Sequence, residues 1–173
     1  EKYEVILTRA NDKYIDHEKR IRIARERGAD LFISVHADST ANKSARGASV
    51  YTLADRAKSR SKRLVDSQNW ILDVNLAAQS ETVSDILVEL AQRSTSNQSE
   101  KFADILLAEL KLSTRLVGNS HRRAGYYVLL APDVPAVLLE MGFLSNIDDE
   151  KLLNSAVHRK KVLKSVVRSV NKY

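Results

Sequence analysis

Short apolar runs, separated by charged stretches with helical spacing, set the plan of this 173-residue chain. Tyr3 to Thr8 alternates and is rich in β-formers, which predicts a strand. Asp16 stands where a helix cap belongs, Ile21, Ile23 and Ala24 continue the helix, and Gly28 suits the residue just past its end. Leu31 to Val35 is apolar on both faces and predicts a buried strand. Strand, helix and strand in that order favour a βαβ-like unit with parallel pairing. Gly47 to Leu53 reads as a third strand and Gly125 to Leu130 as a fourth. Pro132 and Pro135 bracket a turn into a fifth, Ala136 to Leu139.

Residues 56–116 read differently. Val83, Ile86, Leu87 and Leu90 follow helical spacing, and so do Phe102, Ile105, Leu106 and Leu110, with Ser99 or Asn97 as a cap. Ser94 to Asn97 marks a break between the two helices. Residues 64–80 are apolar without a clean period and are read as helical. Asp148 to Leu153 and Val157 to Val170 predict the last helices, with Val162, Val166, Val167 and Val170 on one face. No internal repeat interrupts this order. The expected fold is α/β: a single domain over residues 1–173, its mostly parallel or mixed central sheet flanked by helices, with a helical insertion at 56–116.

Composition narrows the chemistry. Apolar residues make up 43% and charged residues 29%, the balance of a globular domain with a real core. No apolar run reaches the roughly 18 residues of a transmembrane segment. There is no Cys, so any metal must rely on His and carboxylates. The net charge is +6, and much of the excess lies between Lys43 and Arg63. Such a stretch is either a solvated face or an attraction for an anionic polymer. Aromatic residues are not interleaved with it, which argues against a nucleic-acid platform. The chain starts at Glu1, without Met, and reads like a piece whose beginning has been removed.

Two ionisable side chains close apolar strands, His36 after Leu31 to Val35 and Glu140 after Val137 to Leu139. Ligands of open α/β sheets collect at such strand ends. A neutral imidazole there is a candidate zinc ligand, and equally a structural hydrogen-bonding group. A Glu buried among apolar neighbours is a candidate general base or metal ligand, and equally half of a structural pair. His17 and His158 sit in charged helical runs and read as solvated, while His121 stands where it can edge a site. No Gly-rich phosphate loop, no Gly-x-Ser-x-Gly elbow and no His-Glu-x-x-His pair is present.

Taken together, Tyr3 to Arg9, Gly28 to Asp38, Gly47 to Tyr51, Gly125 to Leu129 and Pro135 to Asn146 resemble the zinc-dependent N-acetylmuramoyl-L-alanine amidases. The resemblance implies peptidoglycan as substrate, zinc as cofactor, His36 as a zinc ligand and Glu140 as the catalytic glutamate. The family's other ligands, a His in an Asp-Pro-Gly-His-Gly-Gly motif and a following Glu, are expected upstream of Glu1, with the N-terminal strand and helix that carry them. Residues 56–116 resemble the insertion of Gram-negative cell-division amidases. That implies an autoinhibitory segment displaced by an activator protein, with Asp66, Asp73, Glu81 or Glu89 over the zinc. It further implies septum splitting in the periplasm, with no nucleic acid and no transmembrane segment involved. The alternative is an amidase-like module without metal that binds peptidoglycan or a partner.

Overall fold

The structure, a computed structural model, describes residues 3–61 and 81–173, with the side chains of residues 81, 82 and 84 left aside. The elements run α1 (His17–Glu26), β1 (Phe32–Asp38), β2 (Ala48–Leu53), α2 (Glu81–Lys111), β3 (Leu116–Ala124), β4 (Ala136–Phe143), α3 (Ile147–Asn154) and α4 (Ala156–Lys172). Short 3₁₀ turns at Asp55–Ala57 and Tyr127–Leu129 join them.

The sheet is mixed, in the order β1-β4-β2-β3. β1 and β4 are parallel, β2 and β3 are parallel, and β2 runs antiparallel to β4. One face packs against α2 and α4 through Val50, Val137, Leu139, Phe102, Leu106, Leu110 and Val162. On the other face Tyr51, Ala136 and Leu138 are covered by Val128 and Leu129 of the 3₁₀ turn. That cover stops before the carboxyl ends of β1 and β4, where the polar residues stand.

Helix α1 ends as its sequence predicts. Gly28 adopts φ +59°, its N–H donates to Arg25 O at 2.9 Å, and Ala29 N–H donates to Ala24 O at 2.9 Å. This is the paired closure that a left-handed residue makes possible. Asp16 occupies the N-cap position, although its side chain makes no capping bond.

Several expectations are corrected. Tyr3 to Thr8 forms no strand: Val5 and Leu7 are exposed, and no described strand offers them a ladder. β1 is not buried on both faces. Within the described sheet it is an edge, and Val35 is 45% exposed. Gly125 to Leu130 is not a strand. The strand lies upstream, at β3, whose polar sequence hides it, and the apolar run forms the turn that covers the sheet. Ser94 to Asn97 does not break a helix. α2 is continuous over 31 residues. Ser99 lies inside it rather than at a cap, and its hydroxyl donates back to Thr95 O at 2.8 Å. Val162, Val166 and Val170 do share a packed face of α4, but Val167, one residue round the helix, is 58% exposed.

Candidate active site

Register brings the two sequence-predicted residues together. β1 and β4 run parallel from the pair Phe32–Ala136, and His36 and Glu140 each lie four residues further on. They are therefore neighbours on one rung, with side chains on the same face. On the other side of β4, Ser49 of β2 pairs with Glu140. Side-chain alternation adds Ser34 and Asp38 from β1 and Tyr51 from β2 to that face.

Glu140 is 7% exposed, and its Oε2 is buried without a hydrogen-bond partner. Burial, with the Asp38 charge beside it, pushes its pKa up to about 7. The Ser49 hydroxyl, fully buried on the paired residue, also has no partner. Burial and then the positive charges of Arg20, His17 and Arg9 hold His36 below the usual histidine range. Its ring is thereby neutral at physiological pH, the form that ligates metals. Ser34 Oγ lies 2.8 Å from its Nε2 and fixes the plane of the ring. Tyr126 has its phenol pKa raised by burial, by Tyr51 and by the charges of Asp38 and Glu140. It packs edge-on against Tyr51, with ring centroids 5.2 Å apart.

The donor set is of the kind a metal ion takes. One neutral imidazole and one carboxylate with an orphaned oxygen suit a zinc ion. Among the described residues, however, no group of three or more His, Asp or Glu side chains is gathered around one point. A catalytic zinc takes three protein ligands.

The remaining histidines lie elsewhere. His17 is exposed beside Tyr127, with ring centroids 6.2 Å apart. His158 lies half-buried on α4. His121 faces α2, 3.1 Å from Asp104 Oδ1 and 3.2 Å from Thr52 Oγ1. Of the basic stretch, Arg46 pairs with Asp148 at 2.5 Å and Lys58 with Asp55 at 2.7 Å.

The run Gly142-Phe143-Leu144-Ser145-Asn146 turns out to be scaffold. Asn146 caps α3 by accepting from Asp148 and Asp149 N–H, and its Nδ2 donates to Lys43 O at 2.7 Å. Buried Asp149 accepts from Gly47 N–H at 2.7 Å and Phe143 N–H at 3.0 Å. Gly142, at φ +154°, leaves room for that carboxylate, which a Cβ there would meet at 3.1 Å. These bonds tie the loop after β1 to the end of β4 and so hold the mouth of the site. Sequence reading missed Ser34, Asp38, Ser49, Tyr51 and Tyr126. The positions two residues either side of His36 signal the first two, whereas the rest depend on long-range register.

A mixed α/β sheet that sets a buried carboxyl beside an imidazole frames the candidate site. Residues 1–172 match the N-acetylmuramoyl-L-alanine amidase family, and the chain belongs to it. It is 33% identical over 172 residues to the N-acetylmuramoyl-L-alanine amidase AmiA of Escherichia coli (strain K12), covering 96% of this chain and 60% of that protein. It is 35% identical over 175 residues to the amidase AmiC of Neisseria meningitidis serogroup B, covering 99% of this chain and 42% of that protein. The chain thus spans 60% or less of these relatives' length. The catalytic domain of the amidase CwlV from Bacillus (Paenibacillus) polymyxa var. colistinus superposes with a TM-score of 0.63 at 22% identity, covering 98% of this chain and 72% of that one. An N-acetylmuramoyl-L-alanine amidase from Clostridium difficile 630 does so at 0.69 and 17% identity, covering 98% and 71%. The fold is that of these amidases.

Proposed function

We propose that this chain belongs to a zinc-dependent peptidoglycan amidase that hydrolyses the amide between the lactyl group of N-acetylmuramic acid and L-alanine. One observation carries the reading: Glu140, buried, with an unpartnered oxygen and a pKa near 7, stands on one rung with a neutral imidazole. A general base works best with a pKa near the operating pH. Glu140 accepts the proton of the attacking water and returns it to the amine nitrogen as the C–N bond breaks. His36 is the residue that would hold the ion. Zinc, when bound, acidifies a water molecule and polarises the scissile carbonyl. Tyr126 keeps its phenolic proton at neutral pH and can donate it as a hydrogen bond beside Glu140. The 3₁₀ turn excludes water from the sheet beneath.

The family supplies the amide class. Action in the periplasm during septum splitting, and control of the site by residues 56–116 through an activator protein, extend the same resemblance. Of the insertion's carboxylates, Glu89 is exposed on α2. Asp66, Asp73 and the side chain of Glu81 lie outside the described residues.

In the full-length protein, Glu140→Gln is expected to keep zinc and abolish muropeptide release. Undiminished release removes Glu140 from its role. The sparse donor set among the described residues favours one other reading, a metal-free binding module. Elemental analysis separates the two: stoichiometric zinc with released product supports the amidase, and wall binding without either supports the module.

A further inference from the structure

Arg122, Arg123 and His121 line a groove of about 710 Å³ beside β3, together with Tyr51 and Asn119. Two of the three have acidic partners within the fold. Arg123 pairs with Glu100 at 3.0 Å, and His121 lies 3.1 Å from Asp104 and 3.5 Å from Glu100. Arg122 is different. It is half-buried, and no carboxylate pairs with it among the described residues. Neutral acceptors hold it instead. Its Nε donates to Asn119 O at 2.9 Å and its Nη1 to the Tyr51 hydroxyl at 2.9 Å. The guanidinium carbon lies 5.8 Å from the centroid of the Tyr51 ring. An arginine fixed in this way is aimed without being discharged, and its planar fork suits a carboxylate.

Its position relative to Glu140 follows from the ladder. Glu140 pairs with Ser49, and Tyr51, two residues along β2, pairs with Arg122. Arg122 is thus two strands across and two residues along, on the face that carries Glu140. Strand spacing and rise put the two Cα atoms roughly 12 Å apart. Tyr126, packed edge-on against Tyr51 and within reach of the Glu140 charge, lines the way between them. An irregular stretch of β3 opposite Ser49, between the rungs of Leu116 and His121, brings Asn119 to the groove.

We infer that Arg122 anchors a subsite for a carboxylate of the peptide stem, on the leaving-amine side of the scissile bond. This deepens the amidase reading and rests on it. The glycan side of the bond offers neutral sugars, whereas the stem carries acid groups, so charge complementarity assigns the stem to β2 and β3 and the glycan to β1. An extended peptide advances about 3.5 Å per residue, so roughly 12 Å is the reach of three to four residues of backbone, or of an acidic side chain on the second or third residue beyond the amide.

The test compares full-length wild type with Arg122→Gln and Arg122→Lys on two muropeptides, one with its stem carboxylates free and one with them amidated. Arg122→Gln is expected to raise KM for the free acid roughly 10- to 100-fold, the range for losing a hydrogen bond to a charged group. The same variant is expected to leave kcat and the amidated substrate nearly unchanged, and Arg122→Lys to recover part of the loss. Equal losses on both substrates, or an unchanged KM on the free acid, overturn the inference. A second measurement needs no turnover. Titrating the full-length protein with L-Ala-D-Glu is expected to shift the Arg122 Nε–H and Tyr51 resonances, and the amidated dipeptide is not. Absence of hydrolysis by wild type defeats the amidase reading, while absence of these shifts defeats the subsite.

Discussion

Glu140 joins sheet geometry to chemistry at the scale of a single residue. β4 is flanked by β1 and β2, so its carboxyl is desolvated from both sides, with Asp38 adding a like charge. The pKa rise from 4.5 to about 7 is also a statement about stability. Ionisation is easier in the unfolded chain. The stability tied to the protonated form is therefore fully present below pH 4.5 and lost as pH rises through 7. At about 1.4 kcal/mol per pKa unit, the ionised group costs the fold on the order of 3 kcal/mol. Glu140→Gln removes that cost. Its unfolding free energy relative to wild type is expected to grow by up to about 3 kcal/mol between pH 4 and pH 8, measured by urea titration. A pH-independent difference means that burial does not set this carboxyl's protonation.

At the scale of elements, the chain announces its buried strands and conceals its exposed one. β4 is legible because both of its faces are apolar, and β2 nearly so. β3 is an edge with polar residues on both faces, and pairing, not composition, makes it a strand. His36 and Glu140 were legible as the ionisable residues that follow apolar runs, although β1 continues past them to Asp38 and β4 to Phe143. Their company was not, because Tyr51, Ser49 and Arg122 join the face only through pairing between distant segments. α2 shows the same effect in a helix. Ser94 to Asn97 reads as a break, because such side chains compete for backbone bonds. Packing of Phe102, Leu106 and Leu110 against the sheet carries the helix through. Ser99 then takes a tertiary role, with its buried hydroxyl accepting Ala136 N–H at 2.9 Å where β4 begins. Ser99→Ala leaves that N–H buried without a partner. It is expected to lower stability by about 1–3 kcal/mol in denaturant unfolding, although Ala favours the helix. No loss means that Ala136 finds another acceptor.

The whole molecule divides along α2. Its second half is core, since Phe102, Ala103, Leu106 and Leu110 are fully buried. There, buried Glu109 is held by Arg168 at 2.6 Å and by Lys172 across the interface with α4. Its first half is different in kind: Val83, Ile86 and Leu90 are exposed, and among the described residues of α2 before Phe102 Val88 alone is a buried apolar one. The sheet therefore depends chiefly on the helix from Ser99 onward. Under the proposal that the segment before it restrains the site, deleting residues 64–95 in the full-length protein retains the core layer and removes the restraint. Basal muropeptide release is expected to rise by about 5- to 150-fold, the range of an allosteric coupling of 1–3 kcal/mol. Thermal unfolding is expected to remain cooperative, which a folded core requires. Flat or reduced activity in a variant that still unfolds cooperatively rules out restraint by this segment. Its exposed apolar face would then serve packing elsewhere in the protein.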